Sequence, residues 1–267
     1  LYRYLLREDI YFIAYKNLYA NSGAATKGID DDTADGFSVE YIHSITESLR
    51  NGTYQPKPTR RTYIEKSNGK MRPISIPTFT DKLVQEVMRM ILEAVYEPIF
   101  LDVSHGFRPN RSCHTALEQI KHEFTGVRWF VEGDIKGCFD NIDHETLVSI
   151  VNRKIKDARF IQLLWKILKA GYLEDWRYNK TFSGTPQGGI ISPILANIYL
   201  HELDKKVMVI RQNCYKPRER AYTPEYSKLQ HELRAIKTKI SRAEGEEKAG
   251  LIRKLKEVRK RQRNTPC

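Results

Sequence analysis

Residues Phe130-Val131-Glu132-Gly133-Asp134-Ile135-Lys136-Gly137-Cys138-Phe139-Asp140 decide how this chain is read. Val127 to Ile135 has the apolar content of a short buried strand, and Gly137 offers a turn directly after it. An acid at such a strand end stands at the rim of a sheet. A carboxylate held there suits Mg²⁺, a hard cation that takes one or two acids and completes its shell with phosphate oxygens. The segment alone equally allows Asp134 to be a turn cap.

Working outward, a second block follows at Ser183-Gly184-Thr185-Pro186-Gln187-Gly188-Gly189-Ile190-Ile191-Ser192-Pro193. Two adjacent glycines let a backbone approach a ligand closely, and Gln187 brings both a donor and an acceptor to it. The block lacks the lysine and the strand-loop-helix frame of a Walker loop.

Upstream, Thr62-Tyr63-Ile64-Glu65-Lys66 and Lys70-Met71-Arg72-Pro73-Ile74 flank Ser67-Asn68-Gly69, the pattern of a β-hairpin. Pro73 and Pro77 restrict the second strand to a sheet edge. Helical spacing runs from Tyr4 to Tyr19 and from Val39 to Arg50, the latter ending at Asn51-Gly52. Thr80 or Asp81 is the expected cap of a helix that Pro98 ends. Asp143 caps another, with Leu147, Ile150, Val151 and Ile155 on one face, and further helices are expected over 160–170 and 194–209. Most of Tyr2, Tyr4, Tyr11, Phe12, Tyr15 and Tyr19 are assigned to core or rim packing rather than base stacking, and Trp129, Trp165 and Trp176 to packing; His144 and His201 are assigned to caps or the surface.

The net charge is +12, and its distribution is uneven. From Lys205 to Arg263, 19 Lys and Arg face 7 Asp and Glu, so this stretch carries the whole excess and residues 1–204 balance. Leu229, Leu233, Ile236 and Ile240 form one apolar stripe there, and Leu251, Leu255 and Val258 another, with Glu244-Gly245-Glu246 between. Two basic amphipathic helices folded into an αα-hairpin follow from that pattern. Such a surface fits a polyanion, and a solvated charged face is the plain alternative. The scattered cysteines Cys113, Cys138, Cys214 and Cys267 have neither zinc-site spacing nor a disulfide framework, as in a reducing compartment. No apolar run approaches the ~20 residues of a membrane span.

Taken in order, these blocks resemble the reverse transcriptases of group II introns, the maturase type. The resemblance also takes in Asn51-Gly52-Thr53-Tyr54-Gln55-Pro56, Lys70-Met71-Arg72-Pro73-Ile74-Ser75-Ile76-Pro77, His105-Gly106-Phe107-Arg108-Pro109-Asn110-Arg111-Ser112 and Leu195-Ala196-Asn197-Ile198-Tyr199-Leu200-His201-Glu202-Leu203-Asp204. It implies an α/β right-hand polymerase fold. Residues 1–126 would be helical fingers with the hairpin, 127–204 a partial palm with an incomplete sheet, and 205–263 a basic helical insertion.

The resemblance also implies roles. Asp134 matches the first metal-binding aspartate, with the Ile135 carbonyl as a second oxygen. Phe139 matches the side chain under the incoming sugar that excludes a 2′-hydroxyl. Lys66 and Arg72 fall where cations close on the triphosphate, with Lys70 the second choice for the lysine, and Gln187 where the incoming nucleotide is contacted. Arg108 and Arg111 are expected on template backbone or metal-site carboxylates, and Arg60 and Arg61 on RNA.

The implied activity is RNA-directed DNA synthesis with Mg²⁺, on an RNA template and a DNA primer with deoxynucleoside triphosphates, in a bacterial cytoplasm or an organelle. The basic helices, with Lys254, Lys256 and Arg259, are expected to grip group II intron RNA for splicing and retrohoming; packing on a second copy as a homodimer is the alternative. The family's Tyr-x-Asp-Asp motif is missing: no Asp-Asp pair follows Asp32. The expectation is a fragment that binds RNA without polymerising. A non-enzymatic splicing factor and a retron or diversity-generating reverse transcriptase are the rival readings; the long N-terminal extension and the Gly-Thr-Pro-Gln-Gly-Gly block weigh against the latter.

Overall fold

In a computed structural model, residues 1–20, 23, 25–67, 69–124, 127, 130–185, 188–214 and 222–265 are described. Asn68, Trp129 and Gln187 lie outside them. The chain divides into two compact units, Leu1–Val209 and Ile210–Cys267.

The first unit opens with a 3₁₀ turn, Tyr2–Leu6, ahead of α1, Glu8–Tyr19; the single helix expected over 4–19 is thus broken at Arg7, whose backbone is extended. Helix α2, Val39–Arg50, starts on the Ser38 hydroxyl, which accepts from the Tyr41 N–H, and ends before Gly52 at a φ of +73°. Strands β1, Thr59–Glu65, and β2, Met71–Ile76, form the expected antiparallel hairpin, with Arg60 opposite Ile76 and Glu65 opposite Met71.

Helix α3, Phe79–Tyr96, is capped by Thr78, two or three residues earlier than expected, because the Thr78 hydroxyl both accepts from the Asp81 N–H and donates to its carboxylate. Leu83, Val84, Val87, Met88 and Leu92 are fully buried, each contributing roughly 1.5–3 kcal/mol by leaving water. The helix is also buried at Asp81, Lys82, Gln85 and Glu86, too wide a face for an apolar stripe. Burying these groups demands partners, and each pins a different segment. Asp81 accepts from the Tyr54 hydroxyl and the Lys57 N–H. Lys82 donates to the Gly23 and Thr26 carbonyls. Gln85 accepts from the Ile190 N–H, and Glu86 takes Asn17 and Arg89. The central helix therefore positions the loops around it.

Next come α4, Cys113–Glu123, α5, His144–Lys154, and α6, Ala158–Leu168. Asp143 caps α5 as expected, accepting from the Thr146 N–H at 2.7 Å. Strands β3, Tyr172–Glu174, and β4, Arg177–Asn179, complete a sheet in the order β2-β1-β3-β4, in which β3 runs parallel to β1. The proline-bearing β2 is indeed an edge. Helix α7 covers Ser192–Cys214.

Three expectations need correction. Residues 127 and 130–135 form no strand, and Val131 is 93% exposed: among the described residues no strand lies alongside to supply ladder bonds or an apolar layer. His144 and His201 are buried, the first bonded through Nε2 to the Gly184 carbonyl, the second set edge-on against Phe100. Trp176 is not in the core; it sits 91% exposed at the β3–β4 turn.

The second unit holds α8, Pro224–Ile240, and α9, Gly245–Asn264, the αα-hairpin expected. Leu229, Leu233, Ile236 and Val258 are buried between them, with Ile240 and Leu255 packed alongside.

Candidate active-site cleft

The two sequence blocks meet. The Phe139 carbonyl accepts from the Thr185 N–H at 2.8 Å, and the Ile142 carbonyl from the Gly184 N–H at 2.7 Å. Gly184 has a φ of +84°, and a Cβ there would lie 2.8 Å from the Phe139 and Asp140 carbonyls. Only glycine permits that approach. His144 Nε2 fastens the same point at 2.6 Å to the Gly184 carbonyl. Residues 139–142 and 184–185, one stretch from each block, are thus one backbone-bonded body.

The turn is locally determined. Gly137 has a φ of +61°, and its carbonyl accepts from the Asp140 N–H and from the Asn141 side chain. Asn141 also donates to the Lys136 carbonyl, closing the turn that carries Asp134 and Ile135.

A cleft of about 1090 Å³ opens beside this body. Asp134, Ile135, Phe139 and Asp140 form one wall; Gly188, Gly189 and Ile190 another; and Lys66, Arg72 and Ile74 of the hairpin a third. Asn17, Glu86, Arg89 and Phe107 also line it. Lys66 and Arg72 carry exposed side chains that no hydrogen bond or ion pair engages among the described residues. Asp134 is likewise exposed. Gln187, immediately before Gly188, lies outside the described residues.

The donor set bears on a divalent metal. Asp134 and Asp140 bring carboxylates to one cleft, and the Ile135 residue lies beside them, all hard oxygen donors. Among the described residues no group of three His, Cys, Asp or Glu forms a closed cage. Such a set fits an ion that also relies on a substrate's phosphates, as Mg²⁺ does.

The other arginines expected on nucleic acid are engaged by the protein. Arg108 is buried, paired with Glu97 at 2.8 Å and donating to the Leu101 and Ser104 carbonyls. Arg111 is held by the Asp102 carboxylate at 2.6 Å and carbonyl at 2.9 Å. Both staple a loop whose Phe107 and Asn110 have positive φ, and that strain explains why two guanidinium forks are spent there. Arg60 donates to the Lys27 and Gly28 carbonyls, and Arg61 stacks 3.5 Å over the Tyr172 ring. Lys254, Lys256 and Arg259 are exposed on α9 in the second unit.

Missing from the sequence reading is the Asn17–Glu86–Arg89 wall. Arg89 bonds Glu86 and Glu93, a spacing of three and four residues that the sequence displays, but nothing local says this face lines a cleft.

Comparison with known proteins decides the family. The profile of "Reverse transcriptase (RNA-dependent DNA polymerase)" matches residues 64–241. The chain belongs to the reverse transcriptase family. It is 62% identical over 268 residues to "Group II intron-encoded protein LtrA" of Lactococcus lactis subsp. cremoris, covering 100% of this chain and 45% of that protein. It is 52% identical over 202 residues to "Uncharacterized 91 kDa protein in cob intron" of Schizosaccharomyces pombe, covering 76% of this chain and 25% of that one. The chain spans less than half the length of both relatives. Among solved structures, the reverse-transcriptase-containing "Partial Cas6-RT-Cas1--Cas2 complex" aligns with a TM-score of 0.50 at 16% identity, over 77% of this chain and 34% of that one. That likeness concerns the fold, and the mixed α/β architecture agrees with the class expected.

Proposed function

We propose that this chain supplies the fingers and nucleotide-facing part of the palm of an RNA-directed DNA polymerase encoded by a group II intron. The observation that carries the proposal is the backbone-bonded body of residues 139–142 and 184–185, set against a cleft that also holds Asp134, Lys66 and Arg72. Phosphoryl transfer to a primer needs a 3′-hydroxyl in line with a leaving pyrophosphate, and most of the catalytic work is positioning and charge neutralisation. Lys66 and Arg72 approach the triphosphate as the hairpin cations. Phe139 underlies the sugar and excludes a 2′-hydroxyl. Gln187 contacts the incoming nucleotide from the loop. Asp134 and the Ile135 carbonyl would hold Mg²⁺, which would supply charge neutralisation on the reacting phosphates.

In this reading residues 1–126 are fingers, 127–204 palm and 205–263 a basic insertion. The compact unit that starts at Ile210 supports the last boundary. The exposed Lys254, Lys256 and Arg259 contact intron RNA, and the chain works in a bacterial cytoplasm or an organelle; no helix among the described residues is long and apolar enough to cross a membrane. With one of the metal carboxylates in place and no Tyr-x-Asp-Asp, residues 1–267 bind RNA without polymerising.

The test is primer extension on an RNA template by the full-length intron-encoded protein carrying this sequence. Extension is expected with Mg²⁺, and Asp134→Ala should abolish it while leaving intron-RNA affinity intact. Wild-type extension rates in the Asp134→Ala protein would overturn the assignment.

A further inference from the structure

Gln85 belongs to none of the motifs above, yet it reaches the loop they share. It lies on α3 and is 5% exposed, and its Oε1 accepts from the Ile190 N–H at 3.1 Å. Ile190 follows the two glycines and precedes α7, whose hydrogen bonds begin later: the Ser192 N–H turns back to Gly189 and the Leu195 N–H to Ile191. The Ile190 N–H lies just ahead of the α7 cap, where no helical carbonyl is available to it, and a buried side-chain amide on another helix satisfies it.

The same loop is held from its other side. Gly188 has a φ of +100°, and a Cβ on it would fall 2.7 Å from the Ser75 carbonyl and 2.9 Å from Ile74 Cγ2. Ser75 and Ile74 belong to β2, the strand that carries Arg72. Residues 188–190 thus run between the hairpin strand and the central helix, touching the backbone of one and the buried amide of the other. They line the cleft that holds Asp134 and Phe139.

We infer that Gln85 is a positioning residue for the nucleotide-facing loop: by taking the Ile190 N–H it fixes where Gly188 meets β2, and so holds residues 188–190 at a constant place against the strand that carries Arg72. The inference rests on the polymerase reading for its functional consequence, but not for the lock itself. A loop released from α3 keeps its chemical groups and loses their placement. The deficit is then expected at the nucleotide, because Lys66, Arg72 and Phe139, the residues assigned to it, line the same cleft as residues 188–190.

Two measurements test it. In this chain, Gln85→Met removes the acceptor at nearly constant volume, and amide exchange at Ile190 should quicken about tenfold, the factor one net hydrogen bond carries. Gln85→Glu, which keeps an acceptor oxygen, should restore slow exchange. In the full-length protein the Met variant should raise KM for the deoxynucleotide about tenfold, with KM for primer–template unchanged and the Glu variant close to wild type. A merely structural Gln85 would lower the melting temperature of the Met variant and leave the nucleotide KM where it was. Unchanged exchange at Ile190, or an unchanged nucleotide KM beside quickened exchange, overturns the inference. Absence of extension by the wild-type protein instead sinks the polymerase reading, and the exchange measurement still decides whether Gln85 holds the loop.

Discussion

Arg108 and Glu97 form an ion pair at 2.8 Å in which the arginine side chain is only 4% exposed. The guanidinium also donates to the carbonyls of Leu101 and Ser104, and its carbon sits 5.3 Å from the centre of the Phe100 ring. A cation this enclosed organises its own loop rather than a phosphate. Replacing Arg108 by Met leaves the Glu97 carboxylate and two carbonyls without their donor. The expected cost is about 2–4 kcal/mol, toward the low side because Glu97 keeps some contact with water. Urea unfolding of the variant measures it. A variant that unfolds like wild type but fails to bind RNA would return Arg108 to the nucleic-acid surface.

Phe139 stands half-buried in the cleft wall with its carbonyl fixed by Thr185. If its ring underlies the sugar, Phe139→Ala should admit ribonucleotides. Steric discrimination by an apolar wall amounts to about 1–3 kcal/mol, so the preference for deoxynucleotides should fall by roughly 10- to 200-fold. The comparison of kcat/KM for the two nucleotide types in the full-length protein decides it. An undiminished preference assigns sugar selection to another residue.

On α9, Lys254, Lys256 and Arg259 point to solvent while Val258 faces α8. Reversing all three charges leaves the apolar seam untouched, so the hairpin should fold. Affinity for the intron RNA should drop, and the slope of log affinity against log salt should flatten by about 2–3, one step per lost phosphate contact. Binding isotherms across a salt series read both. An unaltered slope would remove these residues from the RNA surface and favour packing on a second copy of the chain.

His201 is buried against Phe100, and its Nδ1 has no hydrogen-bond partner among the described residues. Burial holds its pKa below the usual value, reinforced by Lys205 and Arg108 and opposed by Asp204 and Glu202. The folded chain therefore binds a proton less readily than the unfolded one. Its contribution to stability is complete well above the unfolded pKa of about 6.5 and declines as the pH falls through that value toward the lower folded one. Melting temperature should drop between pH 7 and pH 5.5, and His201→Phe should flatten that part of the profile. A wild-type curve with no slope there argues that His201 stays neutral in neither state's favour.

Much of the architecture was legible because its determinants are local. The Asp143 cap on the Thr146 N–H, the proline-bearing edge strand β2 and the two apolar stripes of α8 and α9 each depend on residues within a few positions of one another. The β3–β4 hairpin was not legible, since its turn residues Asp175 and Trp176 take φ values of +49° and +60° without a glycine to announce them. The parallel partnership of β3 with β1 joins Thr59 to Tyr172, and no short-range signal reports it.

By itself, the order of residues determined the family, the hairpin and the two blocks around Asp134 and Gln187, because turn chemistry, caps and apolar period are written in near neighbours. Folding in three dimensions decided the rest. It brought the Phe139 carbonyl to the Thr185 N–H, set Gln85 under Ile190, and drew Arg108 inward to Glu97. Those outcomes turn on which distant groups are left needing a partner once the core excludes water, and a buried polar atom accepts whichever partner packing delivers.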